Sequence, residues 1–388
     1  MTSATVSAVV ASRRDELVGL RREFHAAPEL SFSEHQTAAR VQSFLSATRG
    51  LSLRTGVGRT GIVASVDGGA GRGVLLRVDM DGLPIMEATG APYASRTPGV
   101  MHACGHDGHT AMGAVAARVL AERRPAGSVH VLFQPAEEGA GGADAVVADG
   151  VMKGIERVIG IHLWNELPVG TIGVKPGPLM ASVDRLKVTI VGRGGHGAAP
   201  HRSADPVVAA AHVVVALQTI VSREVSPLGS AVVTVAAIHG GSAFNVIPDE
   251  VTLTGTLRTF DPELRQTLPA RIQRIVDGVA GGLGCRSRVQ VERGCGPVIN
   301  DPFMTELARR AAVEIVGEAN VVVPESTMGG EDVSAYFAHA PGCFVFIGSA
   351  NPDRGLAEPH HSPRFDFDED ALVTGCAFLV RAAELAVA

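Results

Sequence analysis

The segment MHACGHDGHT (101–110) places His102, Cys104, His106, Asp107 and His109 within eight residues. Thiolate and imidazole are good ligands for zinc and other borderline transition metals. If this stretch is extended, alternate residues such as Cys104 and His106 point the same way. His102 either joins them or supports them from behind. The plainer alternative is a polar turn before a helix that His109 merely caps.

Three further places offer donors. SVHVLFQPAEEG (128–139) runs from apolar residues into Glu137 and Glu138. Adjacent carboxylates repel and often mark a solvated face. At a strand end beside EEGAGGA, one carboxylate can bind metal while its neighbour serves as general base toward water. His162 lies in the apolar run IGIHLW, where a lone His is often a core residue. His360 and His361 stand together in PHHSPRFDFDED, before a C-terminal helix. Together these segments supply N, S and O donors, enough for a site holding two metals. A second set is polar: His196 between glycines in GRGGHGAAPH, Asn245 in FNVIPD, and Arg258 in LRTF. Arg258 either faces solvent from a strand or grips a substrate carboxylate bidentately.

The elements that must carry these residues follow from the apolar pattern. Runs at 73–85, 128–139, 157–165 and 342–349 are continuous rather than alternating, and most run into carboxylates or His. Helical spacing is seen at 13–49, 108–122 and 141–150. Buried strands alternating with helices predict an α/β domain with a mostly parallel sheet between helices. Ligands bind beyond the carboxyl ends of such strands. Asp79, Asp81, Glu137, Glu138 and His162 would fall on that edge. Residues 184–292 instead read β-α-β-β-α-β, the order of a ferredoxin-like α+β unit. The expected organisation is a discontinuous catalytic domain, 1–182 and 293–388, with an inserted lid at 183–292.

Composition removes several classes. The 388 residues carry a net charge of −6, which gives no basic footprint for nucleic acid. Five Cys without a CxxC argue against a disulfide framework and for a reducing compartment. The N-terminus lacks basic residues before its apolar run and fails as a secretory signal, so a cytoplasmic location is expected. The run Val207 to Val221 contains His212 and Gln218 and reads as a buried helix, too short and polar to span a bilayer. GVGRTG (56–61) matches a dinucleotide fingerprint but precedes a strand-like IVASVDG, so that reading fails. Serine-hydrolase, P-loop and HExxH motifs are missing.

Taken in order, RVDMDGLPI, HACGHDGHT, FQPAEEG, GIHLW, GGHGAAPH, FNVIPD, MGGEDVS and HHSPRFDFDED resemble the aminoacylase and carboxypeptidase-type metallopeptidase family. The branch is that of hippurate hydrolases, N-acyl-amino acid amidohydrolases and indoleacetyl-amino acid hydrolases. The resemblance runs from about residue 15 to 385. It implies two divalent metal ions, zinc or manganese, with cobalt and nickel as further candidates. Cys104, His106, Glu138, His162 and His361 would be the ligands, with His360 the poorer choice of its pair. Glu137 would be the general base, Asp81 a support for the site, and His196 the lid residue that polarises the scissile carbonyl. Asn245, Arg258 and Gly330 would bind substrate. The lid would carry a homodimer contact. The expected activity is hydrolysis of an N-acyl amino acid to carboxylate and free amino acid, with neither nucleic acid nor membrane as partner. A dipeptidase or carboxypeptidase on the same scaffold is the alternative. A non-catalytic metal-dependent binder is the other, against which the intact Glu137 argues.

Overall fold

Unbroken apolar runs become strands covered on both faces. Every residue of Val74–Asp79 and of Gly342–Ala350 is buried. In the computed structural model, which describes residues 3–69, 72–139 and 141–388, these strands belong to an eight-stranded sheet. Its order is Leu51–Val57, Gly61–Val66, Val129–Gln134, Val74–Asp79, Arg157–Pro168, Gly342–Ala350, Ile172–Gly173, Val321–Val322. The four central strands are mutually parallel. Antiparallel pairs flank them. The fold class is thus the mixed α/β, mostly parallel arrangement expected.

Small residues let the helix His106–Arg123 lie against this sheet. A side chain at Gly113 would meet Val78 Cγ2 at 2.7 Å, and one at Gly108 would meet Leu163 Cδ1 at 2.6 Å. The helix is buried on nearly all sides. The helical region expected over 13–49 is two helices, Arg14–Ala26 and His35–Ser46. Pro28 and a left-handed Phe32 (φ 61°) separate them. The GVGRTG stretch is the hairpin joining the first two strands of the sheet, with Gly56, Gly58 and Arg59 at positive φ.

The chain divides into two compact units. The first comprises Met1–Leu179, Ile299–Glu325 and Asp332–Ala388; the second comprises Met180–Val298 and Ser326–Glu331. The second unit holds a four-stranded antiparallel sheet, ordered Ala231–His239, Glu250–Thr259, Asp184–Val191, Arg286–Arg293. Helices Pro206–Thr219 and Pro262–Gly282 complete the β-α-β-β-α-β order. Each starts on an Asp-Pro pair, with Asp205 or Asp261 accepting backbone N–H groups of the first turn. The helix over 206–219 departs from expectation. Its Ala209, Ala210, Val213 and Leu217 are buried, but Val207, Val208 and Val215 are exposed, Val215 at 70%. Pro206–Glu224 is long and apolar enough by length and composition to cross a membrane. One face of it packs on the unit's own core.

Candidate metal centre

The first unit gathers its chemistry where the central strands end. Val74–Asp79 pairs with Arg157–Pro168 only as far as Gly160. That longer strand continues past His162 to Pro168, three residues beyond the apolar run read from the sequence. Beyond Gly160 the pairing on that side stops, and two residues on, His162 Nε2 lies 3.5 Å from Cys104 Sγ. Its Nδ1 donates to Leu163 O at 2.6 Å, which leaves the lone pair on Nε2. Burial pushes His162 well below the usual imidazole range, so it stays neutral, as a metal ligand must.

Cys104 and His106 reach the same place by a route other than an extended strand. Gly105 lies between them at φ 92°, and His106 opens the helix. A left-handed residue there suits glycine. His106 Nδ1 lies 2.9 Å from Asp81 O and 3.3 Å from Asp81 Oδ1. Nε2 then faces away from Asp81 and has no hydrogen-bond partner. Asp81 organises more than this ring. Its Oδ1 accepts the Glu137 N–H and its Oδ2 the Glu138 N–H, both at 3.1 Å, and Ser31 Oγ donates to Oδ2 at 2.7 Å.

The donor atoms of Cys104, His106 and His162 lie within 4.8 Å of one another; so do those of Cys104, Glu138 and His361, and those of His106, Glu137 and Glu138. The first two groups share Cys104 and share no other residue. His361 Nε2 is 3.3 Å from Glu138 Oε1. Hydrogen bonds to Cys104 and Glu138 hold His361 up at about 10. His360 turns the other way and donates to Leu163 O at 2.9 Å, and burial pushes it down to about 4. The backbone at His361 (φ 66°) is what sends the two neighbours apart. His106 Nε2 is buried without a hydrogen-bond partner, and Glu138 Oε1 is buried with the His361 ion pair beside it. Buried polar atoms short of hydrogen bonds are costly, and these two point into a thiol, imidazole and carboxylate donor set. A divalent cation satisfies them, and coordination would also deprotonate the Cys104 thiol, which burial otherwise pushes up. The residues therefore fit a metal.

The other histidines of the 101–110 segment do different work. His109 is a rivet rather than a cap: Nδ1 is 2.6 Å from Asp79 Oδ1, and Nε2 accepts the Leu163 N–H at 2.8 Å. Asp79 is held in turn by Arg77, whose guanidinium also reaches Asp332 at 2.9 Å and Gln134 at 2.8 Å. His102 belongs to none of the potential ligand groups among the described residues. Burial pushes it to about 4. Asp107 is bound by Arg21 Nε and His25 Nδ1, both at 2.8 Å, and Arg21 continues to Asp366 at 2.7 Å. Burial opposes charge on His25, but Asp107 and Glu87 on either side of the ring outweigh it and raise its pKa. Sequence reasoning missed this buried network. The trace it left was the i,i+4 spacing of Arg21 and His25 on one helix face.

His196, Asn245, Arg258 and Gly330 all belong to the second unit. His196 and Asn245 ride one ribbon: His196 pairs with Val246, and the Gly197 N–H donates to Asn245 O at 2.8 Å. His196 Nδ1 accepts the Ala198 N–H at 3.0 Å, so a neutral ring carries its proton on Nε2. Arg258 donates from Nε to Thr256 Oγ1 at 2.9 Å. It alternates with the buried Leu257, so it lies on the sheet face opposite the unit's core. A side chain at Gly330 would strike Val183 Cγ2 at 2.0 Å, so this position requires glycine for space.

A buried parallel sheet whose ending strands assemble two overlapping donor triads, with a further carboxylate alongside, defines a metal-dependent hydrolase. The chain belongs to peptidase family M20/M25/M40, whose model matches residues 75–385. It is 43% identical over 372 residues to N-acetyl-L-cysteine deacetylase of Bacillus subtilis, covering 95% of this chain and 88% of that one. It is 39% identical over 369 residues to IAA-amino acid hydrolase ILR1-like 4 of Arabidopsis thaliana, covering 94% and 84%. Among solved structures it resembles the YXEP protein of Bacillus subtilis, described as a dinuclear metal binding peptidase. There the TM-score is 0.85 and the identity 36%, over 97% of this chain and 99% of that one. The protein is a hydrolase of amide bonds, and divalent metal ions belong to its site.

Proposed function

We propose that this amidohydrolase cleaves the acyl group from N-acyl amino acids, using two divalent cations, zinc or manganese. The observation that carries the reading is the pair of triads sharing Cys104, with Glu137 beside Glu138 and His106. Cys104, His106 and His162 would hold one cation; Cys104, Glu138 and His361 would hold the other. When bound, such ions acidify water and polarise a carbonyl. The remaining work falls to the chain. Glu137 takes the proton of the attacking water and returns it to the leaving amine. His196 donates from Nε2 to the carbonyl oxygen as negative charge develops there, an effect of about 3–4 kcal/mol per donor. Arg258 and Asn245 bind the α-carboxylate and fix the amide in place.

A charge-assisted hydrogen bond contributes about 1.5–3 kcal/mol, so Arg258→Ala should raise KM for an N-acyl amino acid about 10- to 150-fold. Substrates lacking the carboxylate should not feel the change. The class of substrate is tested by a panel of hippurate, N-acetyl amino acids and dipeptides. Higher kcat/KM for every dipeptide than for any acyl-amino acid would replace the reading with a dipeptidase.

The second unit is also the proposed homodimer contact, motivated by the exposed Val207, Val208 and Val215 on one helix. Val215→Glu should shift the solution mass from dimer to monomer in sedimentation. A wild-type chain that sediments as a monomer would end this proposal.

A further inference from the structure

Three consecutive amides, those of Ala136, Glu137 and Glu138, each donate to a buried carboxylate. Asp81 takes the second and third. The first goes to Glu34: its Oε1 accepts the Ala136 N–H at 2.8 Å and the Phe32 N–H at 3.0 Å, and its Oε2 accepts from Thr60 Oγ1 at 2.6 Å. Glu34 is wholly buried and comes from the loop between the helices Arg14–Ala26 and His35–Ser46. The same loop sends Ser31 to Asp81.

The amide that Glu34 holds is an unusual one. Ala136 sits at φ 55°, a left-handed conformation that a residue with a Cβ rarely adopts. Such a conformation persists where its surroundings over-determine it. Here both peptide groups of Ala136 are engaged, its N–H by Glu34 and its carbonyl by the Gly142 N–H at 3.1 Å. Ala136 immediately precedes Glu137, so its ψ sets the direction in which the Glu137 side chain leaves the strand end. Without Glu34, a buried N–H would lose its partner and Ala136 would be free to relax toward the right-handed or extended regions. Glu137 would swing with it, although Asp81 still held the next two amides.

We infer that Glu34 is a positioning residue for the reaction: it fixes the left-handed turn at Ala136 that aims Glu137, while touching neither cation nor substrate itself. The inference rests on the reading of Glu137 as the proton acceptor. It differs from a general packing role in what it predicts. A carboxylate one methylene shorter would no longer span Ala136 N, Phe32 N and Thr60 Oγ1. An amide of the same length would still accept from Ala136.

The test measures kcat, KM and metal content of the metal-loaded full chain with hippurate or the fastest N-acyl amino acid. Glu34→Asp and Glu34→Ala should lower kcat about 10- to 100-fold, the scale of a roughly 1 Å misplacement. KM should stay within about twofold, since binding is untouched. Metal content should be unchanged, and Glu34→Gln should recover most of the rate. On a Glu137→Gln background, the same Glu34 changes should alter the residual rate less than about twofold, because their route to the chemistry is already gone. If Glu34→Ala fails to fold, Glu34→Asp against Glu34→Gln decides the matter. Unchanged kcat in metal-loaded Glu34→Asp overturns the inference, as does an equal loss on both backgrounds. Wild-type turnover in Glu137→Gln alone would remove the underlying reading, whereas full loss there with an innocuous Glu34→Asp would remove only the role of Glu34.

Discussion

Glu137→Gln is expected to reduce kcat by about 10²–10⁴-fold, the usual contribution of a positioned acid–base group. The amide side chain keeps the shape of Glu137 but cannot accept a proton. Metal content should remain at the wild-type level, because the two triads sharing Cys104 contain Glu138 and not Glu137. Substrate binding should change little. The amides of Glu137 and Glu138 are held by Asp81 through the backbone, so the turn itself should survive the substitution. Elemental analysis and steady-state kinetics on the same preparation give the answer. Turnover close to wild type would show that another group handles the proton.

The second large effect concerns Cys104, the one residue common to the two triads. Cys104→Ala should strip metal from both positions and take turnover below that of Glu137→Gln. His162→Ala and His361→Ala should each leave one position intact, since each belongs to one triad. Metal counted per chain should therefore fall furthest for Cys104→Ala and by about half for either histidine, given that each ligand set needs three donors to bind tightly. Equal losses for all three variants would mean that the donors form a single site. No loss for Cys104→Ala would remove the thiol from the centre. Asp81→Asn offers a milder contrast: it weakens the support of His106 without removing a donor, and outer partners of this kind usually cost about 10–100-fold in affinity or activity.

Much of this was legible before any coordinates, for a definite reason. Strands buried on both faces hold polar residues only where these are paired, as Arg77 is, so an apolar run such as VLLRVD announces its end by its carboxylates. Asp79, Asp81, Glu137 and Glu138 could be read in that way, and the mostly parallel sheet followed from the same runs. The backbone turns that sort the candidates could not be read. Nothing in MHACGHDGHT says that Gly105 adopts φ 92°, which sends His106 toward the cluster from a helix instead of a strand. Nothing in PHHS says that His361 is left-handed and that His360 folds back onto Leu163. Glu34 was equally silent, because a glutamate in PELSFSEH looks like any solvated residue until Thr60 and Ala136, distant in sequence, close around it. Long-range partners of this kind leave no local period. The helix over 206–219 misled for the opposite reason: apart from His212, Gln218 and Thr219 its residues are apolar on every face, and only its packing shows which face stays uncovered.

The split of the donors across the chain has a consequence for how the protein comes into being. Cys104, His106, Glu138 and His162 precede the second unit, and His361 follows it. The helix Asp370–Val387, whose Gly375 packs against Met112 of the ligand-bearing helix, comes later still. On a ribosome, the antiparallel unit has all of its strands and both of its helices in hand while the centre still waits for its last donor. With the donors acting as proposed, the triad of Cys104, His106 and His162 is in hand before the second unit is made, and the triad that needs His361 is completed last. A chain that stops before His361 would therefore carry the whole antiparallel sheet and one full triad, with the other triad one donor short.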